Sequence, residues 1–442
     1  MWLKSLPTIH HEPENFTILE NPKDFYKTII ALIEQAKDKI YICALYFEND
    51  SAGADILNAL YKKKKQTPQI EIYILVDFHR AQRGRIGDTA PVTNVDFYKA
   101  MQKKWDNVHI HILGVPVKLK EWKGVFHLKG FVFDNTVLYS GASINEVYLH
   151  YHNKYRYDRY FVIKNNELAN SFSSFIHHHL VLNPAVISLL SDDIPTIKEI
   201  RKKVKKLHYQ LSKGQYLFSH INATDQGIQL YPVVGLSQKQ NQVNKAILNL
   251  LLSAQKSVFM CTPYFNLPRK VLRAIKKLLN KNVTIDIIIG EKEANDFFIH
   301  PEEKFSLVGV LPYIYEQNLY RFFQKYYYFI EKGLLRIHLW KHERNSYHLK
   351  GLQVDNDLYF LTGSNFNPRA WSLDLENGII LHDEHKHLEE QFMNEQKNIL
   401  KNTVLIKNLQ DLSSSETYPE KVKKVLRRIN RIKADVILKR FL

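Results

Sequence analysis

Disulfide chemistry, membrane-spanning segments and metal-ligand clusters are all missing from this chain. Two cysteines, Cys43 and Cys261, cannot cross-link 442 residues into a scaffold, and each lies inside an apolar run, which suits a core residue better than a catalytic thiol. No apolar stretch approaches the roughly 18 to 20 residues that a bilayer-spanning helix needs. Met1-Trp2-Leu3-Lys4 lacks the pattern of a signal peptide, so a reducing cytoplasm is expected. No acidic cluster has metal-ligand spacing, so neither metal nor cofactor is expected. Acidic residues are themselves in short supply: 45 Asp and Glu face 62 Lys and Arg, a formal charge of +17. That balance calls for an anionic partner, and nucleic acid and an acidic membrane surface both qualify.

What the chain does contain, it contains twice. His127-Leu-Lys-Gly130 recurs as His348-Leu-Lys-Gly351. Each copy has an Asp seven positions after the His (Asp134, Asp355), then a short apolar run and a cluster of Gly, Ser and Asn. Residues two apart on a strand share a face, so His127 points with Lys129 and His348 with Lys350. Turns at Asn135-Thr136 and Asn356-Asp357 would fold each segment into a hairpin. The return strand then brings Ser143 and Asn145, or Ser364 and Asn367, back to the His-Lys end. A nucleophile or base, a cation and amide donors gathered at one place suit a reaction that passes through a negatively charged phosphorane.

The surroundings of the motif repeat as well. Pro22 to Ala36 has helical periodicity, Lys39 to Phe47 and Ile70 to Val76 have strand character, and a helix lies between them. Asn241 to Ala254, Ser257 to Phe265, Leu267 to Leu279 and Val283 to Ile289 repeat that order. The offset is 218 residues between Cys43 and Cys261 and 221 between the two histidines. An α/β fold of two similar halves related by a pseudo-two-fold axis is expected, with both His-Lys ends at the shared interface. The expected divisions are residues 1–190, a charged linker 191–235, residues 236–405, and a basic tail 406–442.

The spacing H-x-K-x4-D followed by a Gly, Ser and Asn cluster resembles the signature of the phospholipase D superfamily, whose cluster reads Gly-Ser-x-Asn where this chain has Gly141-Ala-Ser-Ile-Asn145 and Gly363-Ser-Asn-Phe-Asn367. Six residues separate Asp134 from Gly141, as in that family, whereas seven separate Asp355 from Gly363. Further segments narrow the resemblance: Leu75 to Gly87, Lys154 to Tyr160, Cys261 to Pro268, Ala294 to Phe297 and Asn367 to Trp371 are similar to the Gram-negative bacterial phosphatidylserine synthases, which are CDP-diacylglycerol-serine O-phosphatidyltransferases. That likeness implies CDP-diacylglycerol and L-serine as substrates. It also implies a phosphatidyl-histidine intermediate, with His127 as nucleophile and His348 as acid and base. The implied catalytic set is His127, Lys129, Asn145, His348, Lys350 and Asn367 with Asp134 and Asp355, and with Asp158 and Glu376 each bonding the imidazole of the opposite half. Other members of the superfamily, a cardiolipin synthase-like transferase or a nuclease, are the alternatives, and nucleic acid is expected to bind only non-specifically if at all.

Substrate contacts are expected from Arg80, Arg83 and Arg85, which follow a strand end where α/β sheets bind ligands and whose forks suit a pyrophosphate. A surface loop with ordinary salt bridges explains the same residues. Ser143, Ser364, Tyr264 and Arg369 complete the expected substrate-binding set. From Lys421 to Leu442 nine Lys or Arg accompany one Asp, and Val422, Val425, Leu426, Ile429, Ile432 and Val436 fall at helical spacing. This basic amphipathic helix fits an anionic phospholipid surface on the inner face of the cell membrane. It fits equally a helix packed on the second half with a solvated basic face.

Overall fold

The computed structural model describes residues 2–84, 92–219, 227–300, 302–413 and 415–431. Arg85 and the tail beyond residue 431 therefore lie outside the described residues. Two sheets dominate. The first runs Ile187–Ser188, His111–Val115, Glu71–Asp77, Lys39–Cys43, Phe131–Phe133, Thr136–Ser140, Tyr160–Lys164 and Phe16–Leu19 from edge to edge. The second runs Thr403–Ile406, Leu335–Trp340, Thr284–Gly290, Ser257–Thr262, Gly351–Val354, Leu358–Thr362, Leu375–His382 and Ile228–Leu236. Strand for strand these are one topology used twice, including the parallel core of Lys39–Cys43, Glu71–Asp77 and His111–Val115 and its counterpart.

Helices Pro22–Gln35 and Ser51–Gln66, and Gln242–Ser253 and Arg269–Leu279 in the second half, cover the outer face of each sheet. The inner faces meet, with Asn166–Ile176, Arg201–Leu211 and Glu389–Leu400 contributing to the core between them. Asn21 caps the helix Pro22–Gln35 through the Lys23 and Asp24 amides, and Pro22 stands at its first turn, where a missing N–H costs nothing. Phe25, Ile29 and Ile33, four residues apart, are buried on the outer face of the first sheet. Between the sheets, Tyr41, Val132, Val137, Tyr139 and Phe161 of the first half pack with Leu361, Ile379 and Leu381 of the second in one core. The result is four layers, helix–sheet–sheet–helix, with the pseudo-two-fold axis through the middle.

The halves are also interlaced. Strand Ile9–His11 leaves the first half and pairs with Ile228–Leu236 at the edge of the second sheet. In return, helix Glu389–Leu400 reaches the first sheet, where Phe392 lies among Phe16, Phe161 and Tyr359. Two expected boundaries need correction. The proposed linker 191–235 contains helix Arg201–Leu211, whose Val204, Leu207 and Leu211 are buried, and most of a nine-residue strand, Ile228–Leu236. The division at 405 cuts the edge strand Thr403–Ile406.

Asp134 and Asp355 turn out to stand at the hairpin tips, away from the His-Lys ends, so their place in the catalytic set is corrected. Asp134 has φ +50° and Asp355 φ +53°, a left-handed backbone that Asp and Asn tolerate. The Asp134 carboxylate accepts the amides of Lys37, Asp38 and Lys39 at 2.8–2.9 Å, and Asp355 those of Gln255, Lys256 and Ser257 at 2.7–2.8 Å. Each therefore ties its hairpin to the start of the neighbouring strand. The first turn is Asp134-Asn135, one residue earlier than expected, and the second spans three residues, Asp355 to Asp357. That extra turn residue accounts for the longer Asp355–Gly363 spacing. Asp134→Ala is accordingly expected to lower stability by roughly 2 kcal/mol, the worth of a charged acceptor losing several donors. Turnover per folded molecule should stay within about twofold, which thermal unfolding and an activity assay on the same preparation would check.

Candidate active site

Each His-x-Lys strand is hydrogen-bonded, at its start, to the segment of the other half that carries a carboxylate. His127 N–H donates to Leu375 O at 3.1 Å, and Leu375 N–H to Val125 O at 3.1 Å. Ser346-Tyr347 pairs in parallel with Arg156-Tyr157, and His348 N–H donates to Tyr157 O at 2.8 Å. These rungs set the side chains. His127 Nδ1 lies 2.9 and 3.0 Å from the two oxygens of Glu376, and His348 Nδ1 lies 2.9 Å from Asp158 Oδ2. The structure thus brings together His127, Lys129 and Glu376 on one side and His348, Lys350 and Asp158 on the other, all buried.

The two lysines are crossed in the same way. Lys129 packs over Gly363, where a Cβ would stand 2.5 Å from its Cγ, and Lys350 over Gly141, where a Cβ would stand 2.6 Å from its Nζ. Glycine in each cluster is therefore a matter of space for the other half's lysine. Asn377 holds the Lys129 backbone at both N–H and C=O (2.9 and 2.8 Å). Arg159, paired with Glu395 through two hydrogen bonds at 2.8 and 2.5 Å, contacts Lys350 O at 3.5 Å.

Electrostatically the sides differ. Lys350 donates to Asp158 at 2.7 Å and contacts His348 Nδ1. Lys129 instead donates to neutral groups, Ser143 Oγ at 3.2 Å and Ala142 O at 3.3 Å. Burial first, and then the charge of Lys350, pushes Lys129 down to about 7. For His348, burial and then Lys350 outweigh Asp158 and push it down to about 3. Asp158 is driven up by burial, but Lys350 and His348 more than offset this and hold it at about 2. Burial, then Lys129, lowers His127 well below the usual histidine range; burial, then Asp374, raises Glu376 well above the carboxylate range. Both imidazoles are thus biased towards the neutral form, which offers a lone pair.

The remaining expected residues divide. Asn145 and Asn367 spend Oδ1 on the amides of Tyr148 and Ala370 (2.8 Å each), and Asn145 Nδ2 donates to Tyr46 at 3.3 Å. Counted from the paired glycines, Ser364 occupies the place of Ala142 and Asn365 that of Ser143, so the two serines are not equivalents. The Ser364 amide donates to Thr362 Oγ1 as the Ala142 amide does to Ser140 Oγ (3.1 Å each). Arg80 is buried, bonded to Glu48 at 3.1 Å and stacked on Tyr46. Arg83 is locked to Glu121 by two bonds at 2.9 and 2.7 Å. Their forks are occupied by carboxylates, which corrects the pyrophosphate expectation for both. Arg369 is bonded to Asp374 at 3.1 Å and to Glu121 O at 2.9 Å. Tyr264 stands beside His348, ring centroids 6.3 Å apart, stacked on Tyr315 and bonded to Asp296. It also lines a small cleft with Phe265, Asn295, Pro312 and Tyr315.

Comparison with known proteins places this geometry. A family model described as cardiolipin synthase, PLD-like domain, matches residues 29–180 and 247–397. The CDP-diacylglycerol–serine O-phosphatidyltransferase of Escherichia coli K12 is 42% identical over 440 residues, covering 100% of this chain and 97% of that one. The crystal structure of phosphatidylserine synthase from Haemophilus influenzae Rd KW20 superposes with a TM-score of 0.96 at 41% identity, covering 100% of this chain and 98% of the other. The chain belongs to the phosphatidylserine synthase family.

For this phosphatidylserine synthase family member, motif spacing alone did not reveal several residues of the site. Tyr148 places its hydroxyl 3.0 Å from Nδ1 and 3.3 Å from Nε2 of His348. Its only sequence signal is its position three after Asn145, whose side chain caps its amide. Arg156, over the Tyr148 ring and against Ser346 and Asp296, and Asp296, bonded to Tyr264 beside His348, come to the same side of the site from two distant segments, a proximity that no local pattern encodes.

Proposed function

We propose that this chain transfers the phosphatidyl group of CDP-diacylglycerol to L-serine, releasing CMP, through a phosphatidyl-histidine intermediate. The observation that carries the reading is the crossed pair of imidazole–carboxylate contacts, each with a lysine, in a chain 42% identical along its whole length to the E. coli phosphatidyltransferase. With its Nδ1–H turned to Glu376, His127 presents the Nε2 lone pair, and it attacks the phosphorus that bears diacylglycerol. The new P–N bond forms as the bond to the CMP oxygen breaks, and CMP leaves with that electron pair. A phosphate monoester has a second pKa of about 6, so it departs without a proton. Serine then enters from the side CMP vacated. His348, held neutral, takes the hydroxyl proton as the serine oxygen attacks and the P–N bond breaks. Lys129, which among the described residues makes no carboxylate contact, and Lys350 stabilise the phosphorane oxygens.

The lopsided pairing favours His127 as nucleophile, because its own lysine remains available to an incoming phosphate. The test is radiolabelled serine with CDP-diacylglycerol in detergent micelles, run beside single-stranded DNA. Serine incorporation with CMP release is expected. DNA cleavage without serine incorporation would overturn the reading in favour of a nuclease.

Among the described residues no helix is long and apolar enough to cross a membrane. A peripheral contact with anionic lipid is proposed, and the structure redistributes its parts. In helix Glu420–Arg431 the apolar Val422 and Leu426 are buried against Val310, Tyr313 and Ile314, so that face is used in packing. Lys421, Lys424, Arg427 and Arg428 remain exposed. Changing these four to Gln should weaken binding to anionic vesicles by about 1 kcal/mol per charge at low salt and leave turnover in detergent near wild type. Co-sedimentation unchanged at low ionic strength would dispose of the idea.

A further inference from the structure

Among the described residues, one arginine–carboxylate pair, at the site, is longer than all the others. Arg83 and Arg159 each close a two-bond fork on a carboxylate, with contacts of 2.9 Å or less. Arg156, by contrast, meets Asp296 once, at 3.5 Å. Its Nε donates to Ser346 Oγ at 3.2 Å and its guanidinium lies 4.8 Å over the Tyr148 ring. Asp296 is held from behind by the Tyr264 hydroxyl. The pair stands nearer solvent than the centre it adjoins: side-chain exposure is 16% for Arg156 and 14% for Asp296, against 0% for Lys350 and 1% for Asp158.

Its position follows from the parallel rungs that cross the halves. Arg156 is opposite Ser346, so Arg156 and Asp158 share a face of one strand, and Ser346 and His348 share the matching face of the other. Ser346, which the guanidinium touches, is therefore one step, about 7 Å along the strand, from His348. An acceptor of serine's size spans that step with its hydroxyl at His348 and its carboxylate at Arg156. The side is also right, because an in-line double displacement admits the acceptor where the first leaving group departed, opposite His127.

We propose that Arg156 and Asp296 are the specificity-determining pair for the acceptor, the guanidinium taking the α-carboxylate of serine and the Asp296 carboxylate its α-ammonium. This rests on the phosphatidyltransfer reading and adds to it the residues that recognise an amino acid. A loosely joined cation and anion complement a zwitterion, whereas a neutral alcohol leaves both charges unsatisfied and an anionic alcohol meets Asp296. Burial pushes Asp296 up, but Arg156, then His348 and Tyr264, more than offset it, so it stays ionised and able to hold an ammonium.

Competition for a common intermediate tests this independently of the first half-reaction. Enzyme and CDP-diacylglycerol in micelles are given serine, ethanolamine and glycerol at equal concentration, and the lipid products are quantified by mass spectrometry. Arg156→Gln should lower the serine-to-ethanolamine product ratio at least tenfold, since only serine carries the carboxylate. Asp296→Asn should lower both serine and ethanolamine products at least tenfold relative to glycerol. Should the Gln variant fail to fold, Arg156→Lys, which keeps the charge without the fork, should itself lower the serine-to-ethanolamine ratio at least threefold below wild type. Ratios within twofold of wild type in the folded variants would overturn the pair while leaving phosphatidyltransfer intact. Wild-type enzyme yielding no phosphatidyl product with any acceptor would overturn the transfer reading itself, and the pair with it.

Discussion

His348→Ala incubated with CDP-diacylglycerol should accumulate a covalent lipid adduct, whereas His127→Ala should show none. Both variants should lose serine transfer by about 10⁴-fold or more, as when a nucleophile or its proton acceptor is removed from a concerted site. The adduct separates the roles. With His127 present, attack and departure of CMP need no proton from His348, so the first half-reaction proceeds and the second stalls. Without His127 no P–N bond can form. In wild type the same covalent step predicts that labelled CMP exchanges into CDP-diacylglycerol with serine absent. Intact-protein mass spectrometry decides the assignment: an adduct on His127→Ala alone would reverse it. Failure of wild type to exchange CMP would remove the covalent route altogether.

The two positioning carboxylates should respond differently to substitution, though their places in the fold are equivalent. Glu376→Gln and Asp158→Asn should each lower turnover by roughly 10² to 10⁴, the range for a carboxylate that orients an imidazole. Stability should part them. Asp158 is bonded to Lys350 as well as to His348, all three buried, and its removal strands a lysine whose side chain is wholly inaccessible. Breaking a buried pair from one side costs roughly 3 to 5 kcal/mol. Among the described residues Glu376 contacts His127 and no lysine at hydrogen-bond distance, so Glu376→Gln should unfold within about 1 kcal/mol of wild type. Equal losses of stability in a denaturant titration would contradict the asymmetry.

Both carboxylates were reachable from the sequence through the family resemblance, which implies an acidic partner for each imidazole at a similar distance after each motif. The His-x-Lys pairs, the hairpins and the repeated α/β order were legible in the residues themselves: period-two alternation and one common offset survive in the linear chain. What the repeat does not share was lost. Strand Ile228–Leu236 sat inside a stretch whose charge suggested a linker, and the exchanged strand Ile9–His11 is only three residues long. Asp134 and Asp355 were misjudged because motif membership says nothing about which end of a hairpin a residue occupies. Arg80 and Arg83 looked available because their carboxylate partners, Glu48 and Glu121, come from separate segments. Tyr148 meets the His348 imidazole while Arg156 and Asp296 join each other beside it, and only folding brings the three together.

The exchange of carboxylates across the axis also governs when reactivity first exists. A ribosome delivers the N-terminal half first, and domains commonly fold as they emerge. At that moment His127 has no Glu376 to orient it, and the Lys129 backbone has no Asn377 to hold it. No reactive imidazole is therefore assembled until Asn377, some 250 residues later, has left the exit tunnel and the second sheet has closed on the first. A truncated product would then be chemically inert towards CDP-diacylglycerol instead of a partial enzyme that hydrolyses it.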